Sequence, residues 1–149
     1  MNTATHDPGD RYRAGLATLL GLAADKTGLI GNRLAAEAPE FVRLMVEFAF
    51  SDIFARPGLD RRARLFVAIG ALAAQGLAPA QLRYFVQAAI EAQCSREELI
   101  EALMQVSVFA GFAVAANALD ACSDLLLDQP GAPCPTCPPP VCPPSLPQR

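Results

Sequence analysis

Lysine is almost missing from this chain. Lys26 is the only one among the 12 basic residues of a 149-residue sequence, and histidine occurs once, as His6. With a formal net charge of −3 and a pI near 5.1, no basic stripe is available to neutralise phosphates, which excludes a nucleic-acid partner. No uninterrupted apolar run approaches the ~20 residues of a membrane span. The first ten residues, MNTATHDPGD, carry neither the cationic start nor the apolar stretch of a secretory signal. A cytoplasmic, reducing location is the default expectation. The five cysteines, odd in number, then read as thiols or ligands before disulfides.

What the chain does have is apolar surface and arginine. Its hydrophobic content is 52%, a little above the roughly 45 to 50% of a soluble domain, and the surplus suggests a buried subunit interface. Arginine suits fixed bidentate recognition of carboxylates and interface pairing, although high-GC codon usage explains the same bias.

From Arg11 to about Asp128 apolar residues recur at helical spacing and no run alternates with period two, so the sequence predicts one all-helical domain behind a flexible leader, residues 1–10. A first helix is expected over about Arg11 to Ala24, broken by a passage through Gly28 and Gly31. The next, about Pro39 to Ala55, carries Phe41, Leu44, Met45, Phe48 and Ile53 on overlapping apolar faces. Arg56-Pro57-Gly58 ends it. Asp60 is placed to cap a helix running to about Gln75, with Leu65, Phe66, Ile69 and Leu72 as its buried face and Gly76 as its stop. Pro79 opens a helix to about Gln93. Ser95 with Glu98 forms a capping box for Arg96 to about Phe109, and after Gly111 a last helix reaches about Leu127. Residues 129–149, rich in proline and cysteine and almost uncharged, are expected to be an extended or disordered tail.

The block EFAFSDIFARPGLDRRAR, residues 47–64, gathers acids, arginines and aromatics beside a Pro-Gly break, and it is the candidate site. Glu47 and Asp52 are five residues apart, about 140° around an α-helix, so they are not expected to share a face. Arg56 sits on the break, where a turn can aim its guanidinium at a carboxylate through two parallel hydrogen bonds. Arg62 and Arg64 follow in the next helix. The same charges would also serve to fix the helix corner by pairing with Glu47, Asp52 and Asp60.

R-Y-x-x-G-L at 11–16, this central block, L-x-A-x-G at 72–76 and EELIEALMQVSVFAGFAVAANAL at 97–119 together resemble the carboxymuconolactone decarboxylase family. The resemblance covers about residues 11–127. It implies an all-α fold of the alkylhydroperoxidase-like type, rings of three or six subunits, and no metal or organic cofactor; alkylhydroperoxidase relatives add a redox cysteine pair. The implied chemistry is decarboxylation of a carboxylate-bearing butenolide, which requires a donor at the lactone carbonyl, an acid to reprotonate carbon, and an apolar wall. By matched position Glu47 is the acid/base candidate. Arg56, with Arg62 or Arg64 in reserve, would hold carboxylate or polarise the carbonyl, and Asp52 would orient an arginine.

The departures from the family pattern are equally specific. Phe85 occupies the position of the family's histidine and cannot transfer a proton, and His6 in the leader cannot be assumed to replace it. Ser51 replaces a glycine, Phe109 a frequent tyrosine and Ala113 a proline, which makes the pocket more apolar or alters its backbone. The expected pocket lies between helices at a subunit boundary, with Glu47, Arg56, Phe50 and Phe85 as its lining and Asp52 and Phe109 as further substrate contacts.

Cys94 precedes the Ser95 cap, where a helix N-terminus would lower a thiol pKa, although a buried thiol is the plainer expectation. Cys134, Cys137 and Cys142 have a metal-like spacing, with Cys122 as a conceivable fourth ligand, but the surrounding prolines oppose a metal knuckle. The sequence thus carries three readings: a cofactor-free enzyme acting on a small carboxylic acid or lactone, a ligand-binding or assembly protein that has lost catalysis, and a thiol-dependent redox protein.

Overall fold

The computed structural model describes residues 8–22 and 32–126, and among them every regular element is a helix. The His6 leader, the glycines at 28 and 31, and the Cys/Pro-rich tail lie outside the described residues.

The caps read from the sequence set the helix borders. Helix α1 runs Pro8–Leu22, starting three residues before the expected Arg11, with a proline in the first turn where its missing N–H costs nothing. Short α2 (Asn32–Glu37) leads to α3 (Pro39–Met45). Asp60 accepts a 2.9 Å hydrogen bond from the Ala63 N–H to open α4 (Arg61–Gln75), and Gly76 at φ +67° closes it. Helix α5 spans Pro79–Glu91. The Ser95 hydroxyl accepts from the Glu98 N–H at 3.1 Å while the Ser95 N–H donates to the Glu98 carboxylate at 2.8 Å, the reciprocal pair that starts α6 (Arg96–Ala110). The last expected helix is two pieces, α7 (Phe112–Ala121) and α8 (Ser123–Leu126), because the chain turns at Cys122.

One element differs in kind. The expected helix from Pro39 to Ala55 is α-helical only to Met45 and continues as a π-helix over Val46–Phe54. Its wider turn closes hydrogen bonds from i to i+5, and π segments are rare and concentrate at functional sites.

The core is built where α4 packs on α5 and α6, α6 on α7, and α1 on the π-helix. Leu19, Val46, Leu65, Ile69, Val86, Leu99 and Leu103 are completely sealed from solvent. Each such side chain contributes about 1.5 to 3 kcal/mol of burial. Leu65 and Ile69 seal the α4 face as expected, whereas Phe66 and Leu72 are only partly buried against the core. On α3 and the π-helix the inward residues are Val42, Val46, Glu47 and Phe50. Phe41, Leu44, Phe48 and Ile53 instead face outward, and a second apolar surface lies around Val67, Val108, Phe109 and Phe112. No described helix is long and apolar enough to cross a membrane.

Candidate functional site

The π-helix decides how the two acids of the central block are disposed. Asp52 is one π-turn beyond Glu47, so both carboxylates reach the same guanidinium on α1: Arg11 donates to Asp52 and stands 3.8 Å from Glu47. The α-helical geometry that separated them by ~140° does not apply here. Glu47 is the buried charged residue among the described residues, 3% exposed, and Arg43 one turn earlier donates to it at 3.1 Å. Arg43 also grips Glu40 through two hydrogen bonds, one of 3.0 Å. The Asp52 hydrogen bond and charge raise the Arg11 pKa, and those of Glu40, with the nearby Glu47 charge, raise that of Arg43; the Glu40 carboxyl is held below its ordinary value by Arg43.

Helix α1 approaches closely enough for this because Gly15 crosses Val46 without a side chain. A Cβ there would lie 2.4 Å from the Val46 carbonyl oxygen.

The arginines at and after the break divide into holders of the corner and one whose side chain has no partner among the described residues. Arg64 donates to the carbonyls of Leu59 at 3.2 Å, Ile53 at 3.1 Å and Arg56, stitching the turn to the end of the π-helix. Arg62 donates to both oxygens of Glu98 at 2.7 Å and to the Gln93 carbonyl. Arg61 donates to the Leu22 carbonyl at 2.8 Å, tying the corner to α1. These are corner contacts, made with Glu98 and backbone rather than with Glu47, Asp52 or Asp60. Arg56 is exposed, and among the described residues its guanidinium has no hydrogen-bond or ion-pair partner.

Arg56, Arg61 and Arg64 line a cavity of about 240 Å³ whose apolar walls are Leu22, Phe54 and Leu59, with Thr18 and Gly21 of α1. Its lining sets three guanidinium groups beside hydrocarbon, two of them also bound to backbone carbonyls, a chemistry suited to an anion with an apolar body. Glu47, Asp52, Phe50 and Phe85 are not among its lining residues, so the expected residues fall into two neighbouring groups: an acid cluster between α1 and the π-helix, and the cationic cavity at the corner.

An aromatic stack runs behind the cavity. Phe54 stacks on Phe50 with centroids 5.3 Å apart and on Phe85 at 5.7 Å, and Tyr84 meets Phe85 edge-on at 5.3 Å. Phe85 is buried, and the Tyr84 hydroxyl donates to the Leu19 carbonyl at 3.1 Å. Phe109 lies elsewhere, 85% exposed, along a groove between α4 and α6.

Cys94 and Cys122 are buried free thiols, and burial pushes both pKa values up, that of Cys122 to about 11. At Cys94 desolvation outweighs the helix start, which reverses the lowered value considered from sequence. Among the described residues no group of three or more His, Cys, Asp or Glu is disposed to hold a metal ion. The tail cysteines lie outside them.

Four site residues were not singled out from sequence. Arg43 had a signal, the Glu40, Arg43, Glu47 spacing of three and four. Arg11 stood in the R-Y-x-x-G-L motif without a role, Phe54 inside the central block, and Arg61 had no signal separating it from its neighbours.

Two relatives match part of this chain. It is 40% identical over 77 residues to an uncharacterized 15.0 kDa protein of the nqo9-nqo10 intergenic region of Paracoccus denitrificans, covering 51% of this chain but only 58% of that protein. It is 29% identical over 94 residues to the 4-carboxymuconolactone decarboxylase of Acinetobacter baylyi, covering 63% and 69% of the two chains. Residues 39–124, which hold the π-helix, the corner arginines and Phe85, match the sequence model of the carboxymuconolactone decarboxylase family, and the chain belongs to that family.

Proposed function

We propose that this protein binds a small ring carboxylate or lactone in the Arg56 cavity and acts on it without a cofactor, by decarboxylation, isomerisation or a related ring reaction. The observation that carries the reading is the cavity walled by Phe54 and lined by Arg56, Arg61 and Arg64, with an Arg56 guanidinium that has no partner among the described residues. Loss of carbon dioxide from a carboxylated butenolide leaves an electron pair that delocalises to the lactone carbonyl oxygen. A guanidinium at that oxygen would stabilise the developing charge, with Leu22, Leu59 and Phe54 supplying hydrocarbon beside it. The volume, below the roughly 300 to 1,000 Å³ of drug-sized sites, suits a single ring.

Glu47 is the acid on which reprotonation of carbon would depend, and it stands in the neighbouring cluster, held by Arg43 and Arg11. That engagement, with Phe85 at the histidine position, favours a second reading in which the cavity binds a ligand without turning it over. The two separate in one experiment: 4-carboxymuconolactone is offered to wild type, Glu47→Gln and Arg56→Met, and binding by calorimetry is measured beside carbon dioxide release. The enzyme reading expects Glu47→Gln to bind without turnover and Arg56→Met to lose both. Binding without turnover by wild type selects the second reading, and no binding by wild type removes both.

The exposed surfaces around Phe48 and Phe109 support self-association as a homotrimer or homohexamer. The free buried thiols of Cys94 and Cys122 suit a cytoplasmic protein and offer little to a redox role.

A further inference from the structure

We propose that Phe54 makes the Arg56 cavity selective for planar, conjugated ring carboxylates over saturated ones of the same size, and that Phe85 positions Phe54 for this. The inference rests on the cavity reading above and names its ligand class.

Phe54 is the aromatic residue among the cavity's lining residues. It is not free to swing: Phe50 lies 5.3 Å away at 30° and Phe85 5.7 Å away at 26°, both within the range of favourable offset stacking. Phe85 is fixed in turn by the edge of Tyr84, whose hydroxyl is bound to the Leu19 carbonyl of α1, the helix that supplies Leu22, Thr18 and Gly21 to the same cavity. Three rings therefore hold a fourth, that of Phe54, at the wall, and its orientation is set by residues outside the cavity lining.

A fixed ring with a polarised edge and face discriminates by electronic shape. A planar π-system gains offset or edge-to-face contact with it, while a puckered saturated ring of equal volume gains only dispersion. With Arg56 holding the carboxylate, the geometry of the ring remains as the variable that Phe54 senses. The position where the family carries a proton-transferring histidine thus serves here to brace a recognition surface.

Benzoate and cyclohexanecarboxylate carry the same carboxylate on a planar and a saturated ring. Calorimetric or NMR titration of wild type is expected to give benzoate an advantage of roughly two- to tenfold, the range that one aromatic contact supplies. Phe54→Leu should bring the ratio to one, Phe54→Tyr should keep it, and Phe85→Leu should reduce it while both acids still bind; a residue that only fills space would weaken both acids alike. Arg56→Met should lose both acids, locating them in this cavity. Equal binding by wild type, or an unchanged ratio in Phe54→Leu, overturns the inference and leaves the cavity reading standing. Binding of neither acid overturns both.

Discussion

Glu47 and Asp52 lie five residues apart on the π-helix and meet at one guanidinium, that of Arg11. Because Glu47 is sealed from solvent, its carboxylate depends on Arg43 and Arg11 for the interactions that water would otherwise provide. Glu47→Gln is therefore expected to lower stability by about 1.5 to 3 kcal/mol, the range for hydrogen bonds to a charged group. Urea unfolding measures it. An unchanged midpoint at constant slope would mean that the cluster does not hold α1 to the π-helix.

Gly15→Ala tests the same junction from the backbone side. In an exposed helix this replacement stabilises by up to about 1 kcal/mol. At Gly15 the new Cβ meets the Val46 carbonyl oxygen at 2.4 Å and the Val46 carbonyl carbon at 3.0 Å, and the backbone of the facing π-helix cannot step aside as a side chain can. The expected result is a loss of about 1 to 3 kcal/mol. A gain in melting temperature would contradict the close crossing.

Much of the fold was legible because its signals are local. Asp60, Gly76 and the Ser95–Glu98 pair each act on backbone within four residues, so the sequence names them directly. The site was legible only as a segment. Arg61 finds Leu22 and Arg62 finds Glu98 at separations of 39 and 36 residues, which no spacing rule announces. The 100° step of an α-helix sets Glu47 and Asp52 apart, whereas the wider turn of the π-helix brings both to Arg11, and no local signal in the sequence announces that turn. Periodicity reveals the apolar stripe of Phe41, Leu44 and Phe48 but does not say toward which side it points, and all three face outward.

Arg56 and Arg64 should separate cleanly by what they lose. Arg64→Met removes donors from three carbonyls at the corner and is expected to cost about 1 to 2 kcal/mol. Arg56→Met removes a side chain with no partner among the described residues and should change stability by no more than about 0.5 kcal/mol while abolishing binding of a ring carboxylate. Thermal melts and titrations of both variants decide it. The reverse pattern would move the ligand away from Arg56.

Stability should fall at alkaline pH for a traceable reason. Burial pushes the Cys122 thiol from an ordinary 9.0 to about 11, and burial, with the Glu91 charge, pushes the Tyr84 phenol from 10.0 to about 12. Both groups hold their protons more tightly when folded. Their contributions are complete below pH 9, and as pH rises the unfolded chain loses protons first, so stability declines from about pH 9 to 12. Melting temperatures between pH 8 and 11.5 should show this decline, and Tyr84→Phe should flatten its upper part. A flat profile would mean that neither group is buried in solution.

The outward apolar stripe offers the last test, since Phe48 is 64% exposed and Phe41 57%. A large aromatic on the surface of a lone chain adds little to folding, yet several in a row mark a surface that another molecule covers. If a second copy covers it, Phe48→Glu places a charge in a desolvated interface and should shift light-scattering mass toward the monomer, with the helical circular dichroism of the chain preserved. Phe109→Glu tests the α4–α6 groove in the same way, at a residue 85% exposed. Dissociation by one variant alone would assign the interface to that surface. An unchanged mass in both would mean that neither surface joins copies of this chain, and the apolar surplus in its composition would need a different partner.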